Sequence, residues 1–385
     1  MAEWKKMTVG DLCDTISDTY HGDDEEVVLI NTSDVLEGKV LNHQVVENKN
    51  LKGQFKKTFK KNDILYSEIR PANKRYAFVD FENTKNYIAS TKLMVLRPRE
   101  DVVRPRFLFS FLSSKSVLEN LQQLAETRSG TFPQITFSSE LAPTPIDVPD
   151  IETQDRIVRI LDVIEKKIST NEEINKNLAD LLQTVYQERF GDIESAKNQG
   201  TLSDICTYSK EKVVISALNT SNYFSTENML VDKGGATIAS SLPTVSQTTA
   251  CHKGDTLISN IRPYFKKIVY CEDDCGCSTD VLCFTPNQPQ YSAYLFCVLY
   301  ADSFFTFMVA GAKGTKMPRG DKQQIMTYPV TLPSNEELEE FNAIALPALE
   351  QIHSNRVENK SLSAMRDTLL PKLMSGELDV SDIDI

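Results

Sequence analysis

The sequence predicts an α+β protein built as a tandem repeat, with two mixed α/β domains that are each followed by a long helix. Seven residues between Lys61 and Pro71 recur between Lys253 and Pro263 at a constant offset of 192. A helical pattern over 160–178 recurs over 344–362 at a constant offset of 184. Because the two repeats keep the same order, the chain is interpreted as a duplication of one composite unit.

A heptad pattern predicts the first long helix, from about Glu152 to Phe190. Its seam consists of Ile157, Leu161, Ile164, Ile168, Asn171, Asn175, Leu178, Leu182 and Val185. The second seam is Phe341, Ala345, Ala348, Ile352, Asn355, Asn359, Leu362, Arg366 and Leu369. We expect the two helices to form an antiparallel coiled coil that Pro347 and Arg366 kink or loosen. Two ordinary amphipathic helices, each lying on its own domain, are the alternative.

Asparagines within these seams are expected to fix the coiled-coil register: Asn171, Asn175, Asn355 and Asn359. Asn171 and Asn355 are the midpoints of their seams, so an antiparallel pair is predicted to bring these two together. It would also hold the two domains apart, related by a pseudo-twofold axis. That arrangement suits the reading of two half-sites on one duplex.

Proline-rich stretches separate the domains from the helices. Pro143, Pro145 and Pro149 exclude helix, and 328–333 repeats this pattern. The predicted domains are residues 1–149 and 192–333, the first helical segment is 150–191, and the second helix with its tail is 334–385.

Composition is that of an ordinary globular protein. The 385 residues are 41% hydrophobic and 25% charged, which suffices for two or three globular units. No apolar run approaches the roughly 20 residues that a membrane span needs, and Met1–Gly10 lacks the apolar core of a signal peptide. We therefore expect a cytoplasmic protein with no membrane partner.

The net charge of −12 is unevenly distributed. Residues 150–194 carry 11 acidic and 6 basic side chains, and residues 334–385 carry 11 and 4, so the helical segments contribute −5 and −7. The rest of the chain is neutral and contains local basic runs, notably from Lys52 to Arg75. Because phosphate contact depends on local potential, the acidic total does not exclude nucleic-acid binding.

Two repeated basic loops are the predicted DNA contacts. The first surrounds the repeated Lys61–Pro71 element, and the second is the glycine loop Arg128–Thr131, repeated as Lys313–Lys316. Lysine and arginine bind phosphate, and glycine lets a backbone approach a base edge closely. The predicted DNA-binding residues are Lys56, Lys57, Lys60, Lys61, Arg70, Lys74, Arg75, Arg128, Thr131, Arg262, Lys266, Lys267, Lys313, Thr315, Lys316, Arg319 and Lys322. Such contacts predict an affinity that falls steeply with salt.

Other repeated polar groups have a structural interpretation beside the functional one. Asn31–Asp34 and Asn219–Asn222 suit base-edge hydrogen bonds but are equally typical of turns. Polar groups within the repeated strand element are interpreted as holding the fold rather than reading bases: Asp63, Ser67, Asp255 and Ser259.

Four of the eight cysteines lie within thirteen residues: Cys271, Cys275, Cys277 and Cys283. Four thiols can hold zinc, but these spacings lack the usual C-x2-C knuckle, and the first repeat has no cysteines at its equivalent place. A reduced, packed hairpin is the favoured interpretation, and no metal is predicted.

Sequence motifs for catalysis are absent. The chain has no phosphate-binding P-loop, no His-Glu-x-x-His, no Gly-x-Ser-x-Gly and no Asn-Pro-Pro-aromatic sequence. The four histidines are scattered and have no evident acid–base partner. The chain is therefore predicted to be non-catalytic and to carry no cofactor of its own.

Three stretches resemble the specificity subunits of type I restriction-modification enzymes. They are the repeated Lys61–Pro71 element, the passage from Pro145 to Asp162 that leads from a proline-rich strand into a helix, and Leu369–Leu378 near the end of the chain. The resemblance covers nearly the whole chain. The second copy departs from it at Asn335–Phe341, which lacks the Gln-x-Arg-Ile of the first, so the two helical docking faces are expected to differ in strength.

The resemblance implies two target recognition domains, each of which reads one half of a bipartite site in double-stranded DNA. It also implies that the helices set the spacing and dock two methyltransferase subunits and the restriction subunits. S-adenosylmethionine and ATP are then expected on those partners, and the bases that are read stay open. Two alternatives are a DNA-modifying enzyme with its own methyltransferase or nuclease activity, and an interaction scaffold that does not read DNA.

Overall fold

The structure is a computed structural model that describes residues 4–49, 53–128 and 133–381, without the side chain of Arg128. The chain forms two compact units. Unit 1 is Met1–Ile168 with Lys360–Ile385, and unit 2 is Ser169–Asn359. Both long helices contribute residues to both units, and the predicted α+β class is confirmed.

Most strands of unit 1 lie within the first 100 residues. Its strands are β1 Lys5–Thr8, β2 Cys13–Ile16, β3 Glu26–Ile30, β4 Val35–Leu36, β5 Lys39–Val40, β6 Val45–Glu47, β7 Phe55–Lys57, β8 Ile64–Ser67, β9 Tyr76–Phe78, β10 Tyr87–Ser90, β11 Leu93–Pro98 and β12 Pro145–Val148. Its helices are α1 Val9–Leu12, α2 Pro105–Leu112, α3 Lys115–Arg128 and the first part of α4 Ile151–Phe190. Helices α2 and α3 are separated at Ser113 and Ser114.

Unit 2 repeats this order. Its strands are β13 Gln199–Thr201, β14 Cys206–Tyr208, β15 Lys212–Val214, β16 Tyr223–Phe224, β17 Gln247–Cys251, β18 Thr256–Ser259, β19 Ile268–Tyr270, β20 Cys275–Cys277, β21 Val281–Pro286 and β22 Pro329–Thr331. Its helices are α5 Leu202–Ile205, α6 Ser292–Tyr300, α7 Asp302–Ala310, α8 Lys322–Ile325 and the first part of α9 Asn335–Met374.

Two four-stranded sheets recur in the two units with one difference. The sheet β2-β11-β8-β9 of unit 1 corresponds to β14-β21-β18-β19 of unit 2. The second sheet, β6-β3-β10-β7, corresponds to β15-β17-β20-β16 in three strands, because β3–β10 and β16–β20 are both parallel pairs. The fourth strand is added on opposite edges: β6 pairs with β3, whereas β15 pairs with β17. The repeat therefore keeps the inner strands and varies an edge.

The repeated strands β8 and β18 are entirely buried and polar at both ends. At the start of β8, Asp63 is 1% exposed and accepts hydrogen bonds from Arg97 Nε (2.9 Å) and Nη2 (2.7 Å). At its end, Ser67 Oγ donates to the Ile69 carbonyl. In unit 2, the Asp255 carboxylate accepts from the His252 backbone N–H (2.8 Å) and the Cys283 thiol (3.2 Å). The equivalent Ser259 Oγ donates to the Ile261 carbonyl, so the interpretation of these polar groups as structural is confirmed.

Both proline-rich stretches are extended, as predicted. Pro145–Val148 forms β12 and pairs with β1, and Pro329–Thr331 forms β22 and pairs with β13. Each pairing fixes the chain immediately before a long helix. Helix α9 then begins with a capping box, since Glu337 N–H donates to Ser334 Oγ while the Glu337 carboxylate accepts from the Ser334 N–H at 2.8 Å.

In unit 1 the two long helices complete the hydrophobic core. Ile157 and Leu161 of α4 and Leu373 and Met374 of α9 belong to one buried cluster with α2 and α3. Arg156 of α4 donates to the Val380 carbonyl. The sequence after α9 is thereby held against the start of α4.

In unit 2 the same two helices are antiparallel, as predicted. Phe190 near the end of α4 packs on Phe341 near the start of α9, with ring centroids 5.6 Å apart. Leu182, Tyr186, Ala345 and Ala348 are buried in the same core. Small alanines on α9 lie in the same core as the aromatic side chains of α4, and small side chains at a helix contact let the helices approach closely.

The four seam asparagines meet in unit 2 with a pairing one turn away from the predicted one. Asn171 Nδ2 donates to Asn359 Oδ1, and Asn355 Nδ2 donates to Asn175 Oδ1, both at 2.8 Å. Asn171 Nδ2 also lies 2.7 Å from Glu358 Oε2. Asn171 therefore does not pair with Asn355, because the register of the helices is set by their apolar contacts as well as by the asparagines.

Among the described residues, no single helix is long and apolar enough to cross a membrane. A bent pair, Pro289–Tyr300 with Asp302–Ala310, meets the length and composition test only when its two helices are counted together. In unit 2 every side chain from Ser292 to Leu299 is buried in the protein core.

Asp63→Asn is expected to destabilise unit 1 by about 2 kcal/mol, because an amide cannot replace the carboxylate that receives the Arg97 guanidinium. The single tryptophan, Trp4, packs on Gly376 in unit 1, so urea unfolding followed by tryptophan fluorescence reports this unit. Glu47→Gln is the matched control, since its ion pair with Lys49 is about three-quarters exposed and contributes little. Equal urea midpoints for the two variants would contradict a stabilising role for the contact between Asp63 and Arg97.

Replacing Asn175 and Asn355 together by leucine is expected to raise the thermal midpoint of unit 2, because a buried polar pair becomes an apolar contact. Asn355→Leu alone is expected to lower it, since Asn175 Oδ1 then loses its donor. Calorimetry measures both midpoints, and light scattering shows whether the double variant populates misassembled forms. A double variant no more stable than the single one would contradict the pairing.

Candidate nucleic-acid interface

A strained turn follows the buried strand in each unit. In unit 1, the 3₁₀ turn Pro71–Asn73 is flanked by Arg70 and Lys74, whose backbones are left-handed with φ of 45° and 53°. In unit 2, Arg262 and Lys266 have φ of 50° and 49° around the corresponding turn. A left-handed non-glycine residue costs on the order of 1–2 kcal/mol. The rest of each unit must therefore hold this turn, which we name the Arg-Pro turn.

A second tight turn supports the Arg-Pro turn. In unit 1, Glu37 N–H donates to the Lys74 carbonyl at 3.0 Å, and Lys74 Nζ lies 2.7 Å from Glu37 Oε1. In unit 2, Lys233 N–H donates to the Lys266 carbonyl at 2.9 Å. There the side chains of Lys233 and Lys266 both pair with Asp302 at 2.9 Å, and these contacts lower the pKa of the Asp302 carboxyl. The backbone support is thus repeated while the ion pairs differ.

In each unit the Arg-Pro turn is hydrogen bonded to a proline two residues beyond the predicted glycine loop. Arg70 N–H donates to the Pro133 carbonyl at 3.1 Å, and Arg262 N–H donates to the Pro318 carbonyl at 2.8 Å. Each bond joins the Arg-Pro turn to the segment immediately after the glycine loop. Of the predicted residues in the first glycine loop, Thr131 and the Arg128 side chain lie outside the described part of the chain.

The glycine loop of unit 2 is closed at its base. Lys313 and Arg319 exchange two backbone hydrogen bonds of 2.8 and 2.9 Å, and Gly314 has a φ of +102° that favours glycine. Thr315, Lys316 and the residue after them are exposed at the tip. The loop is therefore a short projection whose ends are fixed.

Most of the predicted contact residues already have a partner within their own unit. Lys57 donates to the Thr91 and Leu93 carbonyls, Lys61 pairs with Glu82, Lys74 with Glu37, Arg75 donates to the Ser33 and Val35 carbonyls, Lys266 pairs with Asp302, Lys267 donates to the Thr226 carbonyl, Lys313 pairs with Asp321, and Arg319 pairs with Asp280. Their first role is to hold the loops in place. A phosphate contact from one of them has to share this partner or displace it.

A smaller set of predicted cations is available for contact. Lys56, Lys60 and Lys316 are exposed, and their side chains form no ion pair with the described residues. Lys322 is also exposed, with its Nζ 5.9 Å from the centre of the Tyr208 ring. Arg262 Nε is buried and has no hydrogen-bond partner among the described residues. The exposed lysines are the best candidates for binding phosphate, whereas Arg262 is only partly exposed.

The polar segments beginning at Asn31 and Asn219 form turns. Asn31 Oδ1 accepts from the Thr32 N–H at 2.9 Å, while Asp34 Oδ2 accepts from the Asn31 N–H at 2.7 Å. In unit 2, Asn222 Oδ1 accepts from the Asn219 N–H at 2.7 Å. Because these side chains satisfy their own backbone, the turn interpretation is confirmed.

The clustered cysteines form part of a buried core in unit 2, together with Cys251. Cys271 Sγ lies 3.6 Å from Cys275 Sγ, whereas Cys277 and Cys283 donate to oxygen atoms of Val281 and Asp255. The described residues contain no group of three or more His, Cys, Asp or Glu side chains arranged to hold a metal ion. The hydrogen bond with the Cys275 thiol, together with burial, raises the pKa of the Cys271 thiol.

Among the histidines, His252 has the most contacts with carboxylates. Its Nε2 lies 3.0 Å from Glu211 Oε2 and its Nδ1 lies 3.2 Å from Asp274 Oδ1. Both carboxylates raise the pKa of His252. These exposed groups form a surface ion-pair cluster.

Sequence reasoning missed three contributors to the loop cluster. Glu37 and Asp302 fix the lysines of the Arg-Pro turns, and Tyr264 lies exposed on the turn of unit 2. The two ion pairs join residues 37 and 36 positions apart in sequence, so no local signal indicates them. Tyr264 was visible from the alignment of the two copies, because the equivalent residue of the first copy is Ala72.

Comparison with known proteins shows which family this chain resembles. Residues 1–179 match the family described as "Type I restriction modification DNA specificity domain". The chain is similar to the specificity subunit of the type I restriction enzyme HindI of Haemophilus influenzae, with 43% identity over 206 residues. This alignment covers 53% of the chain and 44% of that relative. The family resemblance predicted from the sequence is confirmed.

Two further similarities are more distant. The specificity subunit of the type I restriction enzyme MjaIX of Methanocaldococcus jannaschii is 30% identical over 97 residues, which are 25% of this chain and 22% of that relative. The chain thus spans less than half the length of both curated relatives. A crystal structure of a type I restriction-modification S subunit from M. genitalium superimposes with a TM-score of 0.52 at 17% identity, over 97% of this chain and 96% of that one. This last similarity shows a shared fold.

Proposed function

We propose, from the match of residues 1–179 to the type I restriction modification DNA specificity domain, that this protein is a specificity subunit that binds double-stranded DNA at a two-part site. The observation that carries the proposal is the repetition of one loop cluster in two units. In each, a backbone hydrogen bond joins an Arg-Pro turn to a proline two residues beyond the predicted glycine loop. Two similar but non-identical clusters suit two different half-sites.

The proposed mechanism is positional rather than catalytic. Cations without ion pairs, such as Lys60 and Lys316, bind phosphates, and neighbouring loop side chains contact base edges. Residues held by internal partners, such as Lys266 and Arg319, keep the loops in shape. Methyl transfer and DNA cleavage then belong to other subunits, on which S-adenosylmethionine and ATP are bound.

The long helices are the proposed docking elements for those subunits, with two methyltransferase subunits and the restriction subunits as partners. Both helices are net acidic: α4 carries 8 acidic and 6 basic side chains, and α9 carries 7 acidic and 4 basic side chains. Acidic surfaces repel DNA phosphates, which supports protein docking on the helices and DNA binding on the loops.

Exchanging residues 192–333 for the equivalent segment of another specificity subunit is expected to change one half of the methylated motif and leave the other half intact. The measurement is genome-wide methylation in cells that express the chain with its methyltransferase partner. An unaltered motif, or no two-part motif with the native chain, would contradict the proposal. Methylation by the chain without added subunits would favour an enzyme instead.

Lys316→Gln is expected to lower the slope of log affinity against log salt by about 0.9, since one phosphate contact and its released counterion are lost. Lys266→Gln is the matched control: its lysine lies in the same unit but is held by Asp302, so the slope should stay near that of the native chain. Binding of the assembled complex to a two-part duplex is measured between 50 and about 200 mM salt. Equal slopes for the two variants would contradict the distinction between lysines with and without an ion-pair partner.

A further inference from the structure

An exposed aromatic side chain distinguishes the Arg-Pro turn of unit 2. Tyr264 is 48% exposed, although its neighbour Pro263 is buried. Its ring contacts that of Phe265 at a centroid distance of 4.8 Å. The equivalent position in unit 1 is Ala72, so this aromatic group is a property of one copy alone.

A second large apolar side chain lies on the adjoining loop. Met317 is 50% exposed at the tip of the glycine loop. Arg262 N–H donates to the carbonyl of Pro318, the residue after Met317, and an antiparallel bridge joins Ile261 to Arg319. Tyr264 and Met317 are therefore carried by two segments that backbone hydrogen bonds hold side by side.

The supports of these segments are stiff. Arg319 Nη2 lies 2.9 Å from Asp280 Oδ1, and the Lys313 ammonium pairs with Asp321 at 2.5 Å. The base of the loop is closed by the two Lys313–Arg319 backbone bonds. Apolar groups on a rigid support lose little conformational entropy when they bind a partner, which favours a role in contact over a role in flexibility.

Positive charge surrounds the two apolar side chains. Lys316 precedes Met317 and is exposed without an ion pair among the described residues. Arg262 is two residues before Tyr264, and its buried Nε has no hydrogen-bond partner there. Cations beside an exposed ring and a thioether are the combination found where proteins bind phosphates and press side chains between base steps.

The size of this surface argues against a protein partner. A stable protein–protein interface buries about 800 Å² on each partner. Two exposed side chains on adjoining turns, within a cationic rim, are far smaller than that. Partial insertion into stacked bases needs only one or two apolar side chains, so DNA fits both the charge and the dimensions.

We propose that Tyr264 and Met317 form an apolar wedge that presses on a base step of one half-site, with Lys316 and Arg262 on the flanking phosphates. This inference rests on the proposed function and deepens it. Unit 2 then reads its half-site partly through the ease with which that base step unstacks. Because unit 1 has Ala72 in place of Tyr264, the two half-sites are read with different chemistry.

The test is the double variant Tyr264→Ala with Met317→Ala in the full chain assembled with its methyltransferase subunit. Duplexes selected by the complex from a random-sequence library are sequenced. The variant is expected to bind its selected duplexes about tenfold more weakly, the loss typical of one stacking contact, and to relax base preference within one half-site only. Tyr264→Phe, which keeps the ring, is expected to preserve affinity and preference.

A spectroscopic readout separates a wedge from a simple loss of affinity. With 2-aminopurine placed in turn at each step of the selected half-site, the native complex is expected to raise the fluorescence at one step, and the double variant is not. Weakening that is uniform over all sequences, an unchanged preference, or loss of the methyltransferase from the complex would each overturn the wedge. If the native complex selects no two-part motif at all, the proposed function itself fails.

Discussion

The candidate interface depends on one constraint, a buried β-strand that is polar at both ends. A carboxylate starts the strand and a serine ends it: Asp63 and Ser67 in unit 1, Asp255 and Ser259 in unit 2. A buried carboxylate is tolerated only with hydrogen bonds, so it fixes the position of its donors. The strand therefore delivers the Arg-Pro turn to the same place in both units.

The partners of these carboxylates differ in a way that leaves the geometry intact. Both carboxylates accept a backbone N–H at 2.8 Å from the residue three positions earlier, Lys60 and His252 respectively. Asp63 also receives a guanidinium from Arg97, whereas Asp255 receives the Cys283 thiol. A charged donor in one copy and a neutral donor in the other satisfy the same acceptor. The constraint thus lies in the presence of donors around the carboxylate rather than in their charge.

Sequence alone predicted the elements whose signal is local or repeated. The strand element was found because both copies preserve it from Lys61 and from Lys253, and the helices because their apolar spacing of 3.5 residues persists for four heptads. The break at Ser113 between α2 and α3 has no clear sequence signal, since the apolar pattern continues across it. The opposite edge strands β6 and β15 were missed for another reason: strand pairing is non-local, and neither strand has a distinctive sequence.

For the candidate site, the sequence predicted where the basic residues lie better than it predicted what each residue does. The sequence identified the basic loops, but it does not reveal that Lys74 is held by Glu37 or Lys266 by Asp302, because each partner lies more than 30 residues away. A lysine with an ion-pair partner and a lysine without one cannot be distinguished from the sequence alone. The register of the asparagines differed for a similar reason: a shift of one turn changes the partner of Asn171 from Asn355 to Asn359, and distant apolar contacts decide between them.

Most of the basic side chains in these loops have partners within their own unit, and these partners affect how the side chains can contact phosphate. A lysine already paired with a carboxylate loses part of its attraction for phosphate, but it also loses little conformational entropy on contact, since it has been ordered in advance. In the proposed complex, exposed cations without an ion pair among the described residues, such as Lys316, retain their full attraction for phosphate. A loop that is rigid at its base, through Lys313 and Arg319, and charged at its tip combines both properties. In the proposed complex, affinity depends mainly on the tip of the loop, whereas the register of contacts with nucleobases depends on the closed end formed by Lys313 and Arg319. Mutations in the two places should therefore have separable effects.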